Sequence, residues 1–202
     1  MSVTNENDEP PSDIFFLDVD TNNLVLYLNA KNSDSYPTSG NQWFDLSGNY
    51  NHGLINGATY NSSVDGGFSF DGSNDKIVIQ HDSSLNFENV LTLIYTLKPD
   101  WSNSNYSPGF SKGENKNSNF STWIGSDNQI DISTQVGNNQ TENVNSLRPA
   151  YDASNDISEG NWYTIAITID SSNNQKTYIN GSQVGATKSI TCLLYTSDAA
   201  DE

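Results

Sequence analysis

The sequence predicts an all-β protein built as an antiparallel β-sandwich. Apolar and polar residues alternate with a period of two, most cleanly over Tyr163-Thr-Ile-Ala-Ile-Thr-Ile169, a spacing that puts one stripe of side chains on each face of a strand. Clusters of Asn, Asp, Gly and Ser punctuate the alternating runs at short intervals, and these residues supply the chemistry of tight turns. Sustained helical periodicity is lacking, and the same Asn, Ser and Gly weaken helix interiors. With 202 residues, 34% of them hydrophobic, the chain suffices for one sandwich whose strands bury alternate side chains.

Residues 1–12, polar and carrying Pro10-Pro11, are expected to form a disordered lead-in to a sandwich over residues 13–191. Leu24 to Ala30 reads as the first strand, with Leu24, Leu26 and Leu28 on one face and Val25 and Tyr27 on the other. Lys31 to Gln42, with Tyr36-Pro37 and Gly40, reads as a loop. His52 to Ile55 is a short strand followed by Asn56-Gly57, a dipeptide that favours a type I′ turn, and Thr59-Tyr60 resumes pairing. Phe68 to Phe70 and Lys76 to Gln80 flank Asp71-Gly-Ser-Asn-Asp75 and are expected to form a hairpin. Leu91 to Lys98 is a strong strand; Pro108 to Lys112, Phe120 to Gly125 and Gln129 to Gln135 are shorter ones. Gly137 to Asp156 is a long Asn-rich excursion, expected at the surface near a binding edge. Trp162 to Asp170 aligns Tyr163, Ile165, Ile167 and Ile169 on one face, and Thr177 to Gly181 pairs back on it across Ser171 to Asn174.

Three of these segments, in their order and spacing, carry a resemblance. They are Asn51-His52-Gly53, the strand exit Lys98-Pro99-Asp100, and Trp162-Tyr-Thr-Ile-Ala-Ile-Thr-Ile-Asp170 followed by Thr177-Tyr-Ile-Asn-Gly181. Over Leu24 to Ala186 the chain resembles the laminin-G-like, concanavalin A-like lectin/glucanase superfamily. That resemblance implies a jelly-roll sandwich, here lacking its last strand or strands. It also implies a carbohydrate-binding or adhesion module, with Ca2+ as a recurring structural ligand. Domains of this kind occur in bacterial surface proteins and phage structural proteins, so the expected setting is virion-associated or extracellular, among other domains of a larger protein.

Charge excludes other classes. Eight basic against 25 acidic residues give a formal charge of −17, which repels phosphate backbones and anionic lipid and leaves no basic stripe for a nucleic acid. No apolar run is long enough to insert across a bilayer, and no apolar signal peptide opens the chain. The segment Cys192 to Glu202 resembles the translation of a transposase-type sequencing-library adapter and is read as a non-native tail. Without its three carboxylates, Asp198, Asp201 and Glu202, the formal charge is −14 rather than −17. The remainder then has no cysteine and no disulfide framework.

Two oxygen-rich turns are candidate metal sites: Asp45 with Asn49, and Asp71 with Asp75. The structural reading is preferred for both: an Asx-turn in which Asp45 caps the backbone two residues on, and a plain hairpin turn over Asp71 to Asp75. The candidate ligand-binding pair is Trp101 and Tyr106, aromatics in an Asn/Ser loop, because an indole or phenol ring stacks on the apolar face of a pyranose. Trp43 and Trp162 read as packing residues, and His52 as a local hydrogen-bonding residue. No catalytic residue is assigned. Retaining glucanases of this architecture place two working Glu in Glu-x-Asp-x-x-Glu; the nearest match, Gln129-Ile-Asp131-Ile-Ser-Thr134, has an amide and a hydroxyl in those positions. The expectation is a non-catalytic glycan-binding module. The alternatives are an interaction sandwich that touches no sugar and a divergent glycoside hydrolase.

Overall fold

The computed structural model describes residues 21–64, 66–86, 90–100, 106–112, 120–125 and 157–189. These are strands and connecting turns, with three single-turn 3-10 segments as the helical pieces among the described residues, and every strand pairing is antiparallel. The predicted all-β antiparallel class is the one observed. The chain divides into two compact units, residues 1–86 and 87–202. The expected lead-in, the strand Gln129 to Gln135, the whole of the Asn-rich excursion and the tail from Cys192 lie outside the described residues.

The first unit holds β1 (Gln42–Trp43), β2 (Gly53–Asn56), β3 (Thr59–Asn61), β4 (Gly67–Ser69) and β5 (Lys76–Ile79). They form a three-stranded sheet in the order β1-β2-β5 and a separate β3-β4 pair. Two local expectations are corrected. The Phe68–Phe70 and Lys76–Gln80 runs are not partners: β4 pairs with β3, Tyr60 opposite Phe68, while β5 pairs with β2, Gly53 opposite Ile79. After Asn56-Gly57 only the glycine takes positive φ, 81°, so the type I′ geometry, which needs both residues there, does not form and β2 is free of β3. Tyr36, Trp43, Tyr60 and Phe68 pack as one aromatic cluster, with ring centroids 4.8 to 5.0 Å apart for Trp43–Phe68, Tyr36–Phe68 and Tyr36–Tyr60.

Leu24 to Ala30 is the third correction, for it joins no ladder. Its five residues Leu24 to Leu28 are half-buried, and the main chain is satisfied mostly by side chains of the 45–51 loop. Alternation alone signals an extended, half-buried segment, and those side-chain partners serve it as well as a strand would.

The second unit contains β6 (Leu91–Leu97), β7 (Tyr106–Lys112), β8 (Phe120–Gly125), β9 (Tyr163–Ile169), β10 (Asn174–Ile179) and β11 (Ser182–Ser189). The sheet order is β11-β10-β9-β6, and β7 pairs with β8. The predicted Tyr163–Ile169 stripe is the centre of the core: Ile165 and Ile167 are fully buried, with Leu91, Ile157, Ile169 and Ile179 around them. Phe110 of β7 packs on that cluster. The β7 backbone comes close at Gly109, where a methyl would stand 3.0 Å from Thr122 Oγ1 and 3.2 Å from the Tyr95 ring. The β10–β11 turn is Asn180-Gly181, both at positive φ (49° and 82°), as a two-residue type I′ hairpin requires. Strand β11 has no predicted counterpart, because in Ser182–Ser189 only Val184 packs on the core and the rest is largely exposed.

Candidate functional site

The 45–52 loop is densely hydrogen-bonded through its polar side chains. Asp45 is 7% exposed, and both of its carboxylate oxygens are engaged. Oδ1 accepts from the Tyr27 N–H (2.8 Å) and the Ser47 N–H (2.9 Å); Oδ2 accepts from the Ser47 hydroxyl (2.7 Å) and the Asn51 N–H (3.0 Å). The amide of Asp45 donates to His52 Nδ1 at 2.9 Å, so Nδ1 is an acceptor and the imidazole carries its proton on Nε2. Asn49 Nδ2 donates to the Leu24 carbonyl, and Asn51 Nδ2 to the Val25 carbonyl and the Ser84 hydroxyl. The loop thus straps the Leu24–Leu28 segment in place through side chains distant in sequence.

Tyr50 stands at the tip of this frame. It is 79% exposed, the highest value among the large hydrophobic residues described, and its φ is 61°. A bulky residue in the left-handed region costs about 1–2 kcal/mol relative to an ordinary backbone conformation. The frame holds it there: His52 N–H donates to the Tyr50 carbonyl at 2.8 Å, and both neighbouring Asn side chains are tied down. The Tyr50 ring meets the His52 ring edge-on, centroids 6.0 Å apart at 90°, and His52 in turn packs edge-on against Phe44 at 5.3 Å.

The sequence-predicted site residues are distributed as follows. Asp45 and Asn49 share this loop, and their hydrogen bonds realise the backbone-capping alternative. A cation at Asp45 would have to displace four protein donors, so the residues present do not fit one there. Asp71 and Asp75 share the turn before β5: Asp71 Oδ1 accepts from the Ser73 N–H, Asp75 Oδ2 from the Asp71 N–H, and Asp75 Oδ1 lies against Gly57. That turn leaves one oxygen of Asp71 clear of its internal bonds, which fits a cation only weakly. Among the described residues no three His, Cys, Asp or Glu side chains converge as a metal site. Trp101 lies outside the described residues; Tyr106 opens β7 with its backbone opposite Gly125, and its side chain is likewise outside them. Sequence reasoning missed Tyr50. The available signal was its place in Gly48-Asn49-Tyr50-Asn51, where a turn calls for Asn or Gly and an aromatic has no local reason to be.

Electrostatic shifts fall on the turns and the core. Asp82 is held below the ordinary carboxyl range by the Ser84 N–H and hydroxyl, and Asp170 by the Asn174 N–H and side-chain amide, with the Ser172 N–H adding to it. The Tyr95 hydroxyl is pushed up to about 12 by burial. Thr122 Oγ1 lies near enough to oppose that shift, but it is bonded to Phe110 and gives the phenol no well-formed hydrogen bond.

Antiparallel pairing in every described sheet, with Asx-capped loops between short strands, defines the class: an all-β protein of antiparallel sheets. Residues 71–199, more than half of the chain, match a laminin-G family model of the concanavalin A-like lectin/glucanases superfamily, and the chain belongs to that family. The matched span reaches into the segment read above as adapter-derived. No curated protein and no solved structure matches the chain.

Proposed function

We propose that the protein is a non-catalytic carbohydrate-binding module that holds glycan through the loops of its sheets. The observation that carries this reading is membership of a lectin and glucanase superfamily by a chain whose closest approach to the glucanase pair has Gln129 and Thr134 in place of two Glu. Neither side chain serves as the carboxylate nucleophile or the acid of glycoside cleavage at neutral pH, so binding without hydrolysis is the function left to such a chain. The ordered polar loops agree with it, since fixed hydrogen-bonding groups lose little entropy when they meet a ligand.

Adhesion at the exterior of a virion or bacterial cell, as part of a larger protein, is the setting that suits such a module. Calcium belongs to the proposal at Asp71 and Asp75 rather than at Asp45 and Asn49. A glycan array probed with the full chain at millimolar Ca2+, and again with chelator, tests the reading. Binding in at least one condition with no release of reducing sugar is expected. Silence in both conditions overturns carbohydrate binding and favours a protein-interaction module, and turnover of β-glucan overturns the non-catalytic assignment.

A further inference from the structure

We propose that Tyr50 is the aromatic platform on which a neutral pyranose ring stacks; this deepens the glycan-binding reading and rests on it. The fold gives no internal reason for a tyrosine at this position. The residue is 79% exposed, so packing does not select it, and its φ of 61° is one that glycine or asparagine adopts more readily. Among the described residues the other non-glycine ones at positive φ are Thr38, Asn173 and Asn180, so turn chemistry selects asparagine at two of these three. A local rule broken without compensation inside the fold points to a role outside it.

The surroundings favour a sugar. The tip is rigid rather than adaptable, because Asp45 clamps Ser47 and Asn51 while Asn49 and Asn51 anchor to the Leu24 and Val25 carbonyls. A ring presented on a fixed backbone needs little ordering on binding. The His52 imidazole stands perpendicular to the phenol with ring centroids 6.0 Å apart, and with Nδ1 accepting from the Asp45 N–H its proton is on Nε2, so the ring next to Tyr50 carries a neutral donor. An aromatic face with a neutral N–H donor at its edge matches a pyranose, which has an apolar C–H face and hydroxyls around its rim. The net charge, −17 for the chain and −14 without its tail, sets the class of sugar, since carboxylated or sulfated glycans would be repelled.

The test uses the full-length protein and its Tyr50→Asn and Tyr50→Phe variants. Each is titrated against immobilised neutral oligosaccharides of glucose, galactose and mannose, and against sialylated and sulfated ones. The wild type should hold one or more neutral probes. Tyr50→Asn should weaken that binding at least tenfold with a melting temperature equal to or above the wild type, and Tyr50→Phe should stay within threefold. Unchanged binding by Tyr50→Asn overturns the assignment of Tyr50 while leaving glycan binding standing. Lost binding in both Tyr50→Asn and Tyr50→Phe, or a lowered melting temperature in Tyr50→Asn, makes the residue structural and overturns the platform. Preference for sialylated or sulfated probes overturns the neutral class, and absence of binding to every probe by the wild type overturns the glycan reading itself.

Discussion

Replacing Asp45 by alanine removes the acceptor of four hydrogen bonds at once, those from the amides of Tyr27, Ser47 and Asn51 and from the Ser47 hydroxyl. A hydrogen bond to a charged acceptor contributes about 1.5–3 kcal/mol net, and a buried donor left without one costs about 1–3 kcal/mol. The four do not add, because Ser47 is half-exposed and its donors regain water. Asn51 is 5% exposed and Tyr27 is part of a segment without a ladder, so their amides do not recover so easily. The expected loss is therefore about 3–5 kcal/mol, a large share of the roughly 5–15 kcal/mol that keeps a domain folded. Asp45→Asn should lose nearly as much, since its NH2 would face the donors that Oδ1 or Oδ2 now accepts. Urea denaturation followed by tryptophan fluorescence measures the loss, and amide hydrogen exchange should show the Tyr27 and Asn51 amides accelerating first. A variant within about 0.5 kcal/mol of the wild type, the usual range for a surface substitution, would refute the clamp. So would a loss on Asp45→Ala that vanishes when both proteins are measured in chelator, because that would make Asp45 a metal ligand.

Tyr95 gives an alkaline prediction. Its folded pKa of about 12 lies above the ordinary 10.0, so its contribution is whole below pH 10 and is lost as pH rises towards 12, about 3 kcal/mol in all. Tyr95→Phe should abolish that slope and, having removed a hydroxyl with no good partner, unfold at pH 7 at the same urea concentration or higher. Asp170 behaves in the opposite sense: with its folded pKa below 3.8, its support of the β9–β10 turn is present above that value and disappears as pH falls through the lower one. Carboxyl NMR titration should place its midpoint below 3.8, and a midpoint at or above that value would refute the turn's hydrogen bonding.

Strand existence and turn chemistry were legible in the residues themselves. The Ile165, Ile167, Ile169 stripe specified β9, its face and its burial, and Asp45 announced an Asx-capped turn; the Asn180-Gly181 turn and the Asp170 cap are equally local but went unread. Those are local properties, set by period-two alternation and by side chains that reach backbone two residues away. Pairing was not local. Whether β4 joins β3 or β5 depends on which edge a distant segment offers, and short strands of similar pattern carry no address. Strand β11 forms because β10 presents an open edge, although its own residues scarcely alternate. Leu24 to Leu28, with the pattern of a strand, is held instead by Asp45, Asn49 and Asn51, acceptors and donors that folding brings to it from some twenty residues away. The exposure of Tyr50 is of the same kind: an aromatic in a sequence counts as core until the tertiary structure shows it standing exposed among the described residues.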